Sequence, residues 1–147
     1  MRRLGNGTIA DVQARWRVRQ VVNWLNLSTP IGLLLAVAGR ARLSSGPNGL
    51  VLAKGFRMPA KAPAFTVGNV VLIRVRDEVL AARPTLLLHE SRHATQYAFC
   101  LGPVMLPLYG VAAVWSWLRC RDFATCNVFE VRAGLVDGGY PVSRLRR

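Results

Sequence analysis

This 147-residue chain has two histidines, and both fall in one five-residue stretch, His89-Glu90-Ser91-Arg92-His93. On a helix, a spacing of four sets two side chains about 40° apart around the axis and one turn along it. Two imidazoles placed so can meet one tetrahedral zinc from a single rigid element. Glu90 is turned about 100° from His89, towards a water beside the metal rather than the metal itself. Zinc lowers the pKa of such a water towards about 7, and a neighbouring carboxylate can take its proton. His89 and His93 are therefore candidate zinc ligands and Glu90 the candidate general base. The competing reading is a helix whose histidines hydrogen-bond in the core. The intervening glutamate and the lack of any other histidine favour the metal.

A catalytic zinc needs a third protein ligand and keeps one position open. The longer pattern HExxHxxGxxH fails, because position 96 is Gln and position 99 is Phe. Cys100 lies seven residues past His93, on the same helix face but about two turns away. Glu130, one of three glutamates, is the best candidate. It sits in Asn127-Val128-Phe129-Glu130-Val131-Arg132-Ala133, and two antiparallel helices can bring it opposite the histidine pair. Ala133, one turn on, permits close helix approach. The alternative for Glu130 is a capping box, with Asn127 as N-cap. Asp137 is a weaker competitor as ligand, or a partner for a histidine. A fourth protein ligand, Cys126 or Asp137, would make the zinc structural instead.

The segment HESRH over 89–93, the preceding strand within 64–76 and the later ExxA of Glu130 to Ala133 resemble the gluzincin-type zinc metallopeptidases. The likeness is greatest to their small single-domain relatives, the minigluzincins. It covers about residues 64–138; HExxH is specific for zincins, whereas ExxA alone is weak. The chain also looks like bacterial proteins that share a layout of TPIGLLLA, AFTVGNVV and HE..H. The resemblance implies hydrolysis of a peptide or protein substrate, with His89, His93 and Glu130 on zinc. It implies that Glu90 passes its proton on to the leaving amine. It also implies that the strand near Thr66-Val67-Gly68-Asn69 aligns an extended peptide by backbone pairing. Tyr97, Tyr109, Tyr140 and Arg132 all stand open as oxyanion donors. At this length the resemblance implies no room for the second subdomain that closes the cleft in larger gluzincins.

The elements that must position these residues form one α+β domain, a small antiparallel sheet beside a helical half. Residues 1–10 read as a flexible lead. A helix over 11–27 follows, capped by Asp11, with Val12, Trp16, Val21 and Trp24 on one face. Thr29-Pro30 interrupts, and 31–39 forms a short apolar helix. Turn signals at Gly46-Pro47-Asn48-Gly49 and alternation near Ile73 and Val75 predict the sheet over 41–76. The metal-site helices span 84–138. The motif helix covers 84–99 with Pro84 at its first position. An apolar helix over 104–118 covers the core with Trp, Leu and Val. A glutamate helix runs over 127–137 to Gly138-Gly139.

Composition sets the remaining bounds. A hydrophobic share of 52% excludes disorder. The net charge of +13 suits anionic lipid, nucleic acid or acidic partners, or simply a solvated Arg-rich surface. No nucleic-acid reading motif accompanies it, and Arg15, Arg17 and Arg19 do not form one helical stripe, which argues against nucleic acid. Residues 98–118 are uncharged, but Gly102, Pro103 and Pro107 split them, so buried core helices are expected. A helix lying on an anionic membrane is the alternative, and with it a basic membrane-binding module carrying a structural or lost zinc site. Three cysteines in no metal-finger spacing fit reduced thiols, with a Cys120–Cys126 disulfide as the other option. No apolar signal segment follows Arg2 and Arg3, which predicts cytoplasmic residence, free or membrane-associated.

Overall fold

A computed structural model describes residues 9–57 and 62–141. Most of the expected lead, residues 1–8, lies outside the described residues. Residues 9 and 10 already belong to the first helix, α1 (Ile9–Leu25), which meets α2 (Ser28–Ala38) at a bend of 75°. Thr29 and Pro30 do not break α2; they form its first turn, where proline's missing N–H costs nothing.

Four strands follow: β1 (Arg42–Ser45), β2 (Val51–Lys54), β3 (Ala64–Val67) and β4 (Val70–Ile73). They form one sheet in the order β1-β2-β4-β3. The sheet is mixed, which corrects the antiparallel expectation. β1 and β2 form a hairpin, and so do β3 and β4, but β2 runs parallel to β4 with Val51 opposite Val70. The chain leaving β2 passes β4 and returns along its far side as β3. β4 is therefore central, and Val70, Val71, Leu72 and Ile73 are completely buried. β3 is left as an edge strand.

The short α3 (Asp77–Ala81) leads to α4 (Leu86–Phe99), the motif helix. Pro84 lies in the turn before α4 rather than at its first position. A 3-10 turn over Gly102–Val104 bends the chain by 112° into α5 (Met105–Cys120). The last helix, α6 (Val128–Ala133), ends four residues before its expected limit at 137, because Gly134 leaves the helix at φ +93°. The core has two parts. One joins Ala36, Val67, Val70, Leu72, Tyr97 and Met105 between the sheet, α2 and α4. The other joins Leu50, Val71, Ile73, Leu86 and Ala94.

Two helices differ from expectation in what they bury. On α1 the supposed core residues Val12, Val21 and Trp24 are exposed, and Arg19 and Asn23 point inward instead. Asn23 Nδ2 donates to Ala94 O at 2.8 Å and to Asn69 Oδ1 at 3.0 Å. Arg19 donates to Ser91 Oγ at 2.9 Å and to the carbonyl of Asn48. The inner face of α1 is thus a polar seam, partnered by groups from α4 and the sheet turns except at Arg19 Nε, which has no hydrogen-bond partner among the described residues. On α5, Met105 and Ser116 are buried, whereas Leu106, Leu108, Val111, Val114, Trp115, Trp117 and Leu118 are exposed. These side chains do not cover the core.

Cys120 and Cys126 are joined as a disulfide across the link between α5 and α6, and Cys100 is free. Two of the three expected thiols are therefore paired. Among the described residues, no single helix is long and apolar enough to cross a membrane.

Candidate metal centre

The site is built where α4 packs against α6. The two helices run antiparallel, as successive contacts show. His89 Nδ1 meets Gly134 O at 2.9 Å, Arg92 Nη1 donates to Ala133 O at 2.7 Å, and Gln96 Nε2 donates to Phe129 O at 2.9 Å. Ala133 on α6 is completely buried. Asn127 caps α6 by accepting from Phe129 N at 3.0 Å. Glu130 does not reach back to complete a capping box. Its carboxylate faces the histidines.

Donor atoms of His89, His93 and Glu130, all buried, lie within 4.8 Å of one another, a cluster that could hold a metal ion. The two Nε2 atoms are 3.0 Å apart. Glu130 Oε2 stands 3.2 Å from His89 Nε2, and Oε1 stands 3.5 Å from His93 Nε2. Each imidazole is fixed from behind. His89 Nδ1 has the Gly134 carbonyl, and His93 Nδ1 has Gln96 Oε1 at 2.8 Å. The Gln96 amide is itself oriented by its bond to Phe129. An acceptor behind each Nδ1 places the proton there and turns both Nε2 lone pairs inward. Two lone pairs and a carboxylate then converge, and buried Oε2 of Glu130 has no hydrogen-bond partner among the described residues. Positive charge at this point, whether a proton on His89 or a metal ion, relieves the repulsion within such a donor set, so the residues fit a metal.

The charges follow the same logic. Burial pushes Glu130 up, but contacts with His89 and His93 and the Tyr109 hydroxyl outweigh it and hold the carboxyl well below the usual range. Burial pushes His89 down, while Glu130, Glu90 and the Gly134 carbonyl prevail and raise it. Glu90 is raised, chiefly by burial, although His93, Thr66 and His89 favour its charged form.

Glu90 is not part of the donor cluster. Its Oε2 accepts from Thr66 Oγ1 on β3 at 2.7 Å. Glu90 and the three donor residues share the wall of a cavity of about 300 Å³ with β3, Leu35 and Met105. The walls are largely apolar, which sharpens the field of the few polar groups.

The other sequence candidates separate here. Tyr97, Tyr109 and Tyr140 line the cavity, and burial raises all three phenols, so each keeps its proton at neutral pH. Tyr109 donates to Glu130 Oε1, which makes it a support for that carboxylate. Arg132 is exposed and does not line the cavity. Asp137 pairs with Arg92 at 2.6 Å and supports neither histidine ring. Cys126 is tied to Cys120 and cannot ligate. Both proposed fourth ligands are thus engaged elsewhere. Gln96 and the Gly134 carbonyl had no sequence signal of their own, and Thr66 was expected in the strand beside the cleft but not as the partner of Glu90. Gly138 also matters: a Cβ there would lie 2.7 Å from Cε1 of His89, so only glycine lets this segment pass behind the ring.

Comparison of the chain with protein-family models, with curated proteins and with solved structures finds no match.

Proposed function

We propose that the protein is a zinc-dependent metallopeptidase of gluzincin type. The observation that carries the proposal is the division of labour between two buried glutamates. Glu130 converges with His89 and His93 on one point, while Glu90, in the same cavity, is held off that point by Thr66. Two imidazoles and one carboxylate form a donor set that suits zinc and leaves a position open. When bound, zinc supplies Lewis-acid chemistry, acidifying water and polarising a carbonyl.

The chain's own residues supply the rest. Glu90 takes a proton from water and returns it to the leaving amine. Its raised pKa makes it a better base than an exposed glutamate once ionised. Thr66 aims that carboxylate and couples it to β3. The outer side of β3 has no neighbouring strand among the described residues, and it can align an extended peptide by backbone hydrogen bonds. The apolar walls fit an apolar side chain of that peptide. Of the phenols in the cavity wall, we assign Tyr140, which keeps its proton and interacts with the Glu130 carboxylate, as the donor to a developing oxyanion.

The test is metal content together with turnover in untagged protein. One zinc per chain is expected, falling at least about tenfold in Glu130→Gln. Glu90→Gln should keep its zinc and lose at least about 100-fold in hydrolysis of an unfolded protein substrate. Zinc far below one per chain and indifferent to Glu130→Gln would overturn the metal. Full turnover by Glu90→Gln would overturn the mechanism.

A further inference from the structure

The two bent helix pairs meet tip to tip. Gly102, in the bend between α4 and α5, lies against Asn26 in the bend between α1 and α2, where a Cβ would be 2.6 Å from Asn26 O. Asn26 Nδ2 also donates to Tyr97 O at 3.3 Å. This polar contact holds together two turns whose other side chains are apolar and face outward. Leu25 and Leu27 on one turn are 78% and 60% exposed, and Phe99 and Leu101 on the other are 83% and 75% exposed.

Both turn leucines have a left-handed backbone, Leu27 at φ 68° and Leu101 at φ 56°. Glycine or asparagine occupies such positions at less cost, and neither leucine recovers that cost by burial. The sequence thus spends conformational energy to present leucine to the outside at two adjoining turns.

The stretches that build this tip carry no charge. No Lys, Arg, Asp or Glu occurs in 20–39 or 93–118, the stretches that form both arms of the tip. All the charge of a chain of net +13 lies elsewhere. The exposed side chains of α5, Val111, Val114, Trp115 and Leu118 among them, continue the uncharged surface. Arg119 and Arg121 follow directly.

We propose that this double-turn tip is a membrane anchor: Leu25, Leu27, Phe99 and Leu101 enter the interfacial layer of an anionic bilayer, and the cationic remainder of the molecule is drawn to its headgroups. An apolar point without charge, on a body of one sign, matches lipid of the opposite sign better than it matches a second, equally cationic copy of this chain. Phe99 follows His93 by six residues, so the metal centre stands about 9 Å along α4 from the anchored end. A peptide lying at the bilayer surface is then within reach of the cavity.

The experiment is vesicle co-sedimentation of the full chain, with phosphatidylcholine vesicles alone and with vesicles containing 30–40% phosphatidylglycerol, roughly the range in which surface potential attracts basic proteins. It is compared with the double variant Leu27→Asn/Leu101→Asn. Asparagine suits both backbone conformations, so the variant keeps its fold, checked by circular dichroism and melting temperature. Expected are binding to the anionic vesicles only, weakened by salt, and a loss of at least about tenfold in the variant. No sedimentation with anionic vesicles at low salt would overturn the proposal. So would equal binding by a folded variant, which would leave charge alone as the cause. A concentration-dependent dimer without vesicle binding, returned to monomer by the substitutions, would assign the tip to self-association and overturn it too. None of these readings depends on peptidase activity or on metal.

Discussion

Thr66 donates to the Glu90 carboxylate at 2.7 Å, joining the edge strand β3 to the helix that carries both histidines. The bond favours the charged form of a carboxylate that burial makes hard to ionise. Thr66→Val keeps the shape and removes the donor. As the proposed base, Glu90 would act only when ionised, so activity would fall as pH drops through its pKa. Losing the donor raises that pKa and moves the acidic limb of kcat/KM to higher pH, with zinc content unchanged. A profile measured between pH 4 and about 9, spanning the carboxylate and imidazole ranges, tests this. An unmoved limb would show that the bond serves only to place the strand.

Gln96 fixes His93 from behind and is itself fixed by Phe129. Groups of this kind set the tautomer and direction of a ligating imidazole, and their loss typically weakens metal binding by about 10–100-fold. Gln96→Leu should therefore bind zinc within that range of weakening, read by competition with a chromophoric chelator. Glu130→Gln should be weaker still.

The metal-free protein should show a specific acid sensitivity. Glu130 is held below the ordinary carboxylate range in the folded state. Its contribution to stability is fully present above the unfolded value of about 4.3 and is lost as pH falls from there towards the folded value. Denaturant titrations of metal-free protein over that acid range should show a steeper loss of stability in the wild type than in Glu130→Gln. Parallel curves would mean that the histidine contacts do not favour the ionised carboxylate.

Arg19 is buried on the inner side of α1, and burial lowers its guanidinium to about 10, which still leaves it charged at neutral pH. It bridges α1 to Ser91 on α4 and to the Asn48 turn. Arg19→Ala leaves those acceptors unpaired and opens a void, at a cost of about 3–4 kcal/mol. Arg19→Lys keeps the charge but cannot span both acceptors, and should lose about half of that. Urea unfolding of the three proteins gives the comparison.

The parts of this molecule that were legible in the sequence are those fixed by short spacing. His89, Glu90 and His93 needed only the pitch of a helix, and Asn127 capped α6 as its type suggests. Glu130 was reached from the scarcity of other ligands, and the structure brings it to the histidines. What escaped depended on distant partners. A buried arginine and asparagine on α1 look like surface residues until Ser91, Asn69 and Ala94 are known to face them. The parallel pairing of β2 with β4 arises from a crossing loop that leaves no periodic trace. The apolar residues of α5 carried the pattern of a core helix, but a protein this small offers only one stripe of that helix a partner.

α6 has only six residues, too few to persist as a helix without tertiary support. Asn127, Ala133 and the backbone contacts to α4 hold it. An ion shared between His89 and His93 on one helix and Glu130 on the other would also rivet them together, closing a long span of chain without a covalent bond. Its occupancy would then be written into the melting temperature as well as the activity, because whatever binds only the folded form stabilises it. Chelation would act first as a loosening of the C-terminal third of the protein, and a cell short of the metal would hold a less durable molecule as well as a silent one.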